Sequence, residues 1–131
     1  MSAVRRFVLG LWHQPTWVRL WVGLLIAFNG ILPLAFIAHR AAQLVLVVFM
    51  LGGLLMVALT AASGFTRLLG LGHVLWIPLV GYLFWNLSDF PTNEPLGWWI
   101  RGLLVVNSIS LLIDVTDVVR YACGERAELV E

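Results

Sequence analysis

Asp114 and Asp117, three residues apart, lie in NSISLLIDVTDVVRY (107–121), near the end of a 131-residue chain. Carboxylates at that spacing share a helix face, where they could exchange protons with a histidine, pair with an arginine, or hold a divalent cation against phosphate oxygens. On a helical projection Asn107, Ser110, Asp114, Asp117 and Tyr121 fall within about an 80° arc. The same face continues through Leu103, Ile100 and Leu96. Its polarity therefore stops near the middle of the helix, where a continuous polar path would not.

An aspartate near the carboxyl end of a helix meets the negative end of the macrodipole, so its charged form needs a partner. Asp117 has a local candidate in Arg120, at i+3 and in the favourable acid-then-base order. Asp114 has none, since its neighbours at three and four residues are Leu111, Ser110, Asp117 and Val118. The stretch TRLLGLGHVLWIPL (66–79) offers Arg67 at its start and His73 inside. At the α-helical rise His73 lies about 8 Å inward from Leu68, and Asp114 a similar distance inward from Val119. An Asp114 to His73 hydrogen bond or an Asp114 to Arg67 ion pair is the contact to expect. Asn29, midway along an earlier apolar run, should bond to a neighbouring helix, with contact to a substrate as the alternative.

The elements that position these residues follow from composition. The chain is 61% hydrophobic and 11% charged, against about 25% charged in soluble domains. That places it in the membrane class, with a length suited to one domain. Crossing a bilayer takes roughly 20 apolar residues in a helix, and four runs qualify: 17–38, 44–63, 68–87 and 97–119. AHRAAQ (38–43), SGFTR (63–67) and SDFPTNEP (88–95) separate them and read as turns. Short connections make sequential helices antiparallel, so the expected fold is an all-α, four-transmembrane-helix bundle.

Arginines near the span ends set the orientation. Arg5, Arg6, Arg19, Arg67, Arg120 and Arg126 fall on the side of both termini, and only Arg40 and Arg101 on the other. This predicts a bacterial inner-membrane protein with both termini cytoplasmic. Trp12, Trp17, Trp21 and Tyr121 fall at one boundary, and Tyr82, Trp85, Trp98 and Trp99 near the other, as aromatic belts do. Trp76 is the exception, inside the third run. Ahead of the first run, Val4, Phe7, Val8, Leu11 and Trp12 recur at helical spacing, while Arg5, Arg6 and His13 fall elsewhere. This predicts a short amphipathic helix at the interface, lying on the membrane or packed against the end of the bundle. Arg5 and Arg6 precede an apolar stretch that His13, Gln14 and Pro15 break, so no cleaved signal is expected.

Several chemistries fall away. One cysteine, Cys123, cannot form an internal disulfide, and no paired Cys or His spacing offers a zinc site. Gly70 and Gly72 follow no strand and start no dinucleotide fingerprint. His39 and His73 lie at different depths, which disfavours a haem between them. No cofactor is expected, and a net charge of +1 gives no nucleic-acid face. The residues that matter form an inner-half polar cluster: Asp114, Asp117, His73, Arg67, Asn107, Asn29 and Arg120. The leading reading is a non-catalytic membrane protein, an accessory subunit of a membrane complex or a self-associating bundle. Its partners are then the lipid bilayer and a second copy or another membrane protein. The alternatives are a small proton-coupled transporter using Asp114 and His73, and a metal-dependent lipid or isoprenoid enzyme using the two aspartates.

Overall fold

A computed structural model of the chain describes residues 2–129, and among these it contains helices and no strand. Helix α1 (Ala3–Trp12) starts at Ser2, whose hydroxyl accepts from the Arg5 amide at 3.2 Å. Pro15 separates it from α2 (Thr16–Ile26), which passes through a π-helical turn (Ala27–Ile31) into α3 (Leu32–Ala35). α4 (Arg40–Ser63) ends at Gly64, whose φ of +78° suits a residue without a Cβ. A 3₁₀ segment (Arg67–His73) then leads into α5 (Trp76–Trp85). A short 3₁₀ turn (Leu87–Asp89) precedes α6 (Pro95–Ala122), which carries proline in its first turn, where a missing N–H costs nothing.

Four helical stretches are long and apolar enough to cross a membrane: Thr16–Ala35, Arg40–Ser63, Arg67–Trp85 and Pro95–Ala122. They match the four expected runs, with differences at the ends and within the third. The first ends at Ala35 and α4 already begins at Arg40, so the first connection is shorter than AHRAAQ. The fourth extends to Ala122. The third is not a continuous α-helix, because its first seven residues are 3₁₀.

Two prolines account for the irregular turns. A proline at position i lacks an N–H and clashes with the carbonyl of i−4, which for Pro33 is Asn29. The chain answers by widening, so that the Leu32 amide bonds to the Ala27 carbonyl, five residues back. For Pro78 the residue at i−4 is Val74. There the chain tightens instead, and the Ile77 amide takes the Val74 carbonyl at 3.2 Å. Gly70 and Gly72, poor α-helix formers, help keep the segment before it in 3₁₀ form.

α6 runs antiparallel to the first and third spans and packs against both. The core gathers around Val45, Leu83, Ile100 and Leu103, all fully buried, with Trp76 and Leu79 beside them. Glycines set the closest approaches. A Cβ on Gly70 would lie 2.7 Å from the Asp114 carbonyl oxygen, and one on Gly52 would lie 3.0 Å from that of Gly72. The 3₁₀ segment is thus wedged between α4 and α6. Gly53 and Gly81, by contrast, face open space.

At the end that carries both termini, α1 packs against the end of α4. Phe7 and Phe65 rings lie 6.0 Å apart, and Gly10 is buried against Phe65. Val4, Val8 and Trp12 remain exposed. Glu128 and Leu129 fold back over the same end. The Leu129 amide donates to the Phe65 carbonyl at 2.7 Å, and a Glu128 carboxylate oxygen accepts from the Phe65 amide at 3.1 Å and from Arg6 at 3.3 Å. Around the perimeter, Leu20, Leu54, Phe84 and Leu112 are each 68–71% exposed. Soluble monomers seldom expose apolar surface so continuously.

Candidate functional site

The polar face of α6 meets a different partner at each level. Deepest is Asn107, fully buried. It exchanges two hydrogen bonds with Asn29: Asn29 Nδ2 donates to Asn107 Oδ1 at 2.9 Å, and Asn107 Nδ2 to Asn29 Oδ1 at 3.0 Å. Asn29 Nδ2 also donates to the Leu25 carbonyl at 3.0 Å. The π-turn holds Asn29, and this is where helices commonly place special residues. The same turn frees a carbonyl. Phe28 O cannot use Leu32, whose amide is committed to Ala27, nor Pro33, which has no N–H. The Trp99 indole Nε1 donates to it at 2.9 Å. A second bond thus ties the π-turn to α6.

One turn nearer the termini, Ser110 is 2% exposed. Next comes Asp114, whose Oδ2 lies 2.7 Å from His73 Nδ1. His73 stacks on Trp76, ring centroids 3.9 Å apart and planes 6° from parallel. Trp76 follows His73 by three residues, across the turn that joins the 3₁₀ segment to α5. Among the described residues, His73 Nε2 makes no hydrogen bond and no fully buried side-chain nitrogen or oxygen lacks a partner. Nε2 is therefore reachable from the surroundings.

Asp117 does not pair with Arg120. Its Oδ1 accepts from Arg67 Nη1 at 2.8 Å, and Arg67 Nε also lies 3.4 Å from Glu125. Arg120 turns instead to Glu125, just beyond the helix end. The local i+3 pair loses because both groups find partners in geometry that tertiary structure supplies. Thr66 positions Arg67 by capping the 3₁₀ segment, its hydroxyl accepting from the Leu68 amide at 3.3 Å. With Arg67 engaged there, the Asp114 to Arg67 alternative is not formed. The 3₁₀ rise of about 2 Å per residue also puts His73 about 10 Å from Leu68, deeper than an α-helix would.

The structure thus brings six of the seven candidate residues into three pairs: Asn29 with Asn107, His73 with Asp114, and Arg67 with Asp117. The seventh, Arg120, sits at the rim. Sequence reasoning overlooked Trp76, Trp99, Glu125 and Glu128. Trp76 did leave a signal, as the tryptophan that fits neither aromatic belt. Both aspartates are engaged by basic partners, and among the described residues no group of three or more His, Cys, Asp or Glu could hold a metal ion.

No protein-family model, curated protein or solved structure matches the chain.

Proposed function

We propose that this chain is a non-catalytic protein of the bacterial inner membrane, with both termini in the cytoplasm, that works as an assembly component: an accessory subunit of a membrane complex or a bundle that associates with itself. One observation carries the reading. The three polar pairs on α6 tie that helix to two others: Asn107 to the first span, and Asp114 and Asp117 to the third. Spent on one another, these groups act as a clasp. In a bilayer, where helices gain little from the hydrophobic effect, interhelical hydrogen bonds and close backbone packing take over the work of specifying the bundle. The apolar perimeter and the exposed Trp12, Trp17, Trp85 and Trp98 at its two ends fit a lipid environment with interfacial belts.

Native mass spectrometry after gentle solubilisation tests the assembly. The expected result is a complex, of copies of this chain or with another membrane protein. A monomer that by itself carries solutes across reconstituted vesicles would contradict the proposal. A second reading, proton-coupled transport through Asp114 and His73, draws on the reachable Nε2 of His73, since a histidine held by a carboxylate on one nitrogen can exchange a proton at the other.

A further inference from the structure

Two concavities border the second half of α6. The first is an open cleft of about 640 Å³ at the end that carries the termini, lined by His13, Arg67, Arg120 and Arg126 together with Glu125 and Glu128. The second, about 370 Å³, lies between α2 and α6 and is lined by Trp17, Leu20, Trp21, Leu24, Ile109 and Ile113. Residues that line the two are close along the chain on both sides. Ile113 and Arg120 are seven residues apart on one face of α6, about 10 Å along the axis. On the other wall His13 precedes Trp17 by four residues.

The charges in the cleft are unequally engaged. Glu125 is held by Arg67 and Arg120, and Glu128 by Arg6 and the Phe65 amide. Arg120 reaches Glu125 through Nε, and Arg126 reaches the Tyr121 carbonyl through Nε. The terminal nitrogens of both guanidinium groups make no hydrogen bond among the described residues. Two arginine forks so anchored suit the oxygens of a phosphate. About two helical turns from Arg120 along α6 lies the apolar groove, with its two tryptophans.

We propose that this composite site binds one anionic phospholipid of the cytoplasmic leaflet, its phosphate between Arg120 and Arg126 and one acyl chain along the α2–α6 groove. The site rests on the membrane reading above and adds a ligand to it. The headgroup chemistry alone would suit a free phosphate ester, and an apolar groove about 10 Å away along α6 favours the lipid.

The test is native mass spectrometry of the protein in mixed micelles holding equal amounts of phosphatidylglycerol and phosphatidylcholine. The wild type should retain phosphatidylglycerol preferentially. Arg120→Gln with Arg126→Gln should lower that preference about fivefold per arginine removed, with unchanged helical content by circular dichroism, since both side chains are exposed. Ile113→Trp, which fills the groove, should reduce phosphatidylglycerol retention while both arginines stay in place. Equal retention of the two lipids by the wild type, or undiminished preference in the double arginine variant, would overturn the site. Displacement of phosphatidylglycerol by sn-glycerol 3-phosphate, with Ile113→Trp retaining lipid normally, would mean a soluble phosphate ester and overturn the lipid assignment. Recovery of the chain in the soluble fraction without detergent would remove the membrane reading itself, a failure distinct from loss of lipid preference.

Discussion

Replacing the two buried asparagines by leucine, singly and together, should reveal a clasp whose halves are unequal. Leucine has the same number of side-chain heavy atoms as asparagine and carries no polar group, so the substitution deletes hydrogen bonds with little change of shape. Asn29→Leu leaves both ends of the Asn107 amide without a partner, because all the bonds of Asn107 run to Asn29. An orphaned buried group costs about 1–3 kcal/mol, and this variant should fall near the top of that range. Asn107→Leu is milder, since Asn29 keeps its bond to the Leu25 carbonyl and orphans only its oxygen and one hydrogen, about 1–2 kcal/mol. In the double variant no orphan remains. It should be more stable than Asn29→Leu, which gives a coupling of about 2 kcal/mol, somewhat above the range usual for membrane hydrogen bonds. Reversible unfolding in mixed micelles, followed by tryptophan fluorescence, measures all four states of the cycle. Additive effects, or Asn107→Leu costing more than Asn29→Leu, would refute the reasoning.

Other outcomes follow from neighbouring contacts. Gly70→Ala should cost about 1–3 kcal/mol by overpacking, because its Cβ would press on the Asp114 backbone, whereas Gly53→Ala, facing open space, should be neutral or slightly stabilising; melting temperatures in detergent compare the two. Trp99→Phe should cost about 1–3 kcal/mol by orphaning the Phe28 carbonyl, and Pro33→Ala, which restores an N–H beside that carbonyl, should reduce the cost when the two are combined and measured by the same unfolding assay. Arg67→Gln should destabilise more than Arg120→Gln, because Arg67 is 23% exposed beside Asp117 and Arg120 is 47% exposed, where ion pairs contribute little. A membrane-impermeant maleimide should label Cys123, exposed just past α6, in permeabilised but not intact cells. Labelling in intact cells would reverse the proposed orientation.

Much of the bundle was legible in the sequence because apolar runs of membrane length, broken by turn residues, leave few folds open. The polar face of α6 could be read from spacing alone, since Asn107, Ser110, Asp114 and Asp117 recur at three and four residues on a regular α-helix. The third span resisted the same treatment. Its depth was measured with the α-helical rise, while Gly70, Gly72 and Pro78 together drive a 3₁₀ segment and a tight turn. The 3₁₀ rise changed the depth of His73, and the turn after it leaves Trp76 stacked on its ring. The partner of Asp117 was misread because spacing reveals only contacts within a helix. Arg67 and Glu125 reach Asp117 and Arg120 through tertiary structure and a tail that turns back at Gly124, which has φ of +110°. The π-turn goes with Pro33, but the need of Phe28 for the Trp99 indole arises only once a neighbouring helix is in place.

The central claim is that Asp114 and His73 hold helices together. The most direct measurement reconstitutes wild type and Asp114→Asn side by side, and records the folded, assembled fraction by native mass spectrometry together with proton flux into the same vesicles. The clasp predicts a reduced assembled fraction for Asp114→Asn and no proton flux attributable to either protein. Full assembly of Asp114→Asn, with loss of a pH-dependent flux that the wild type displays, would contradict it.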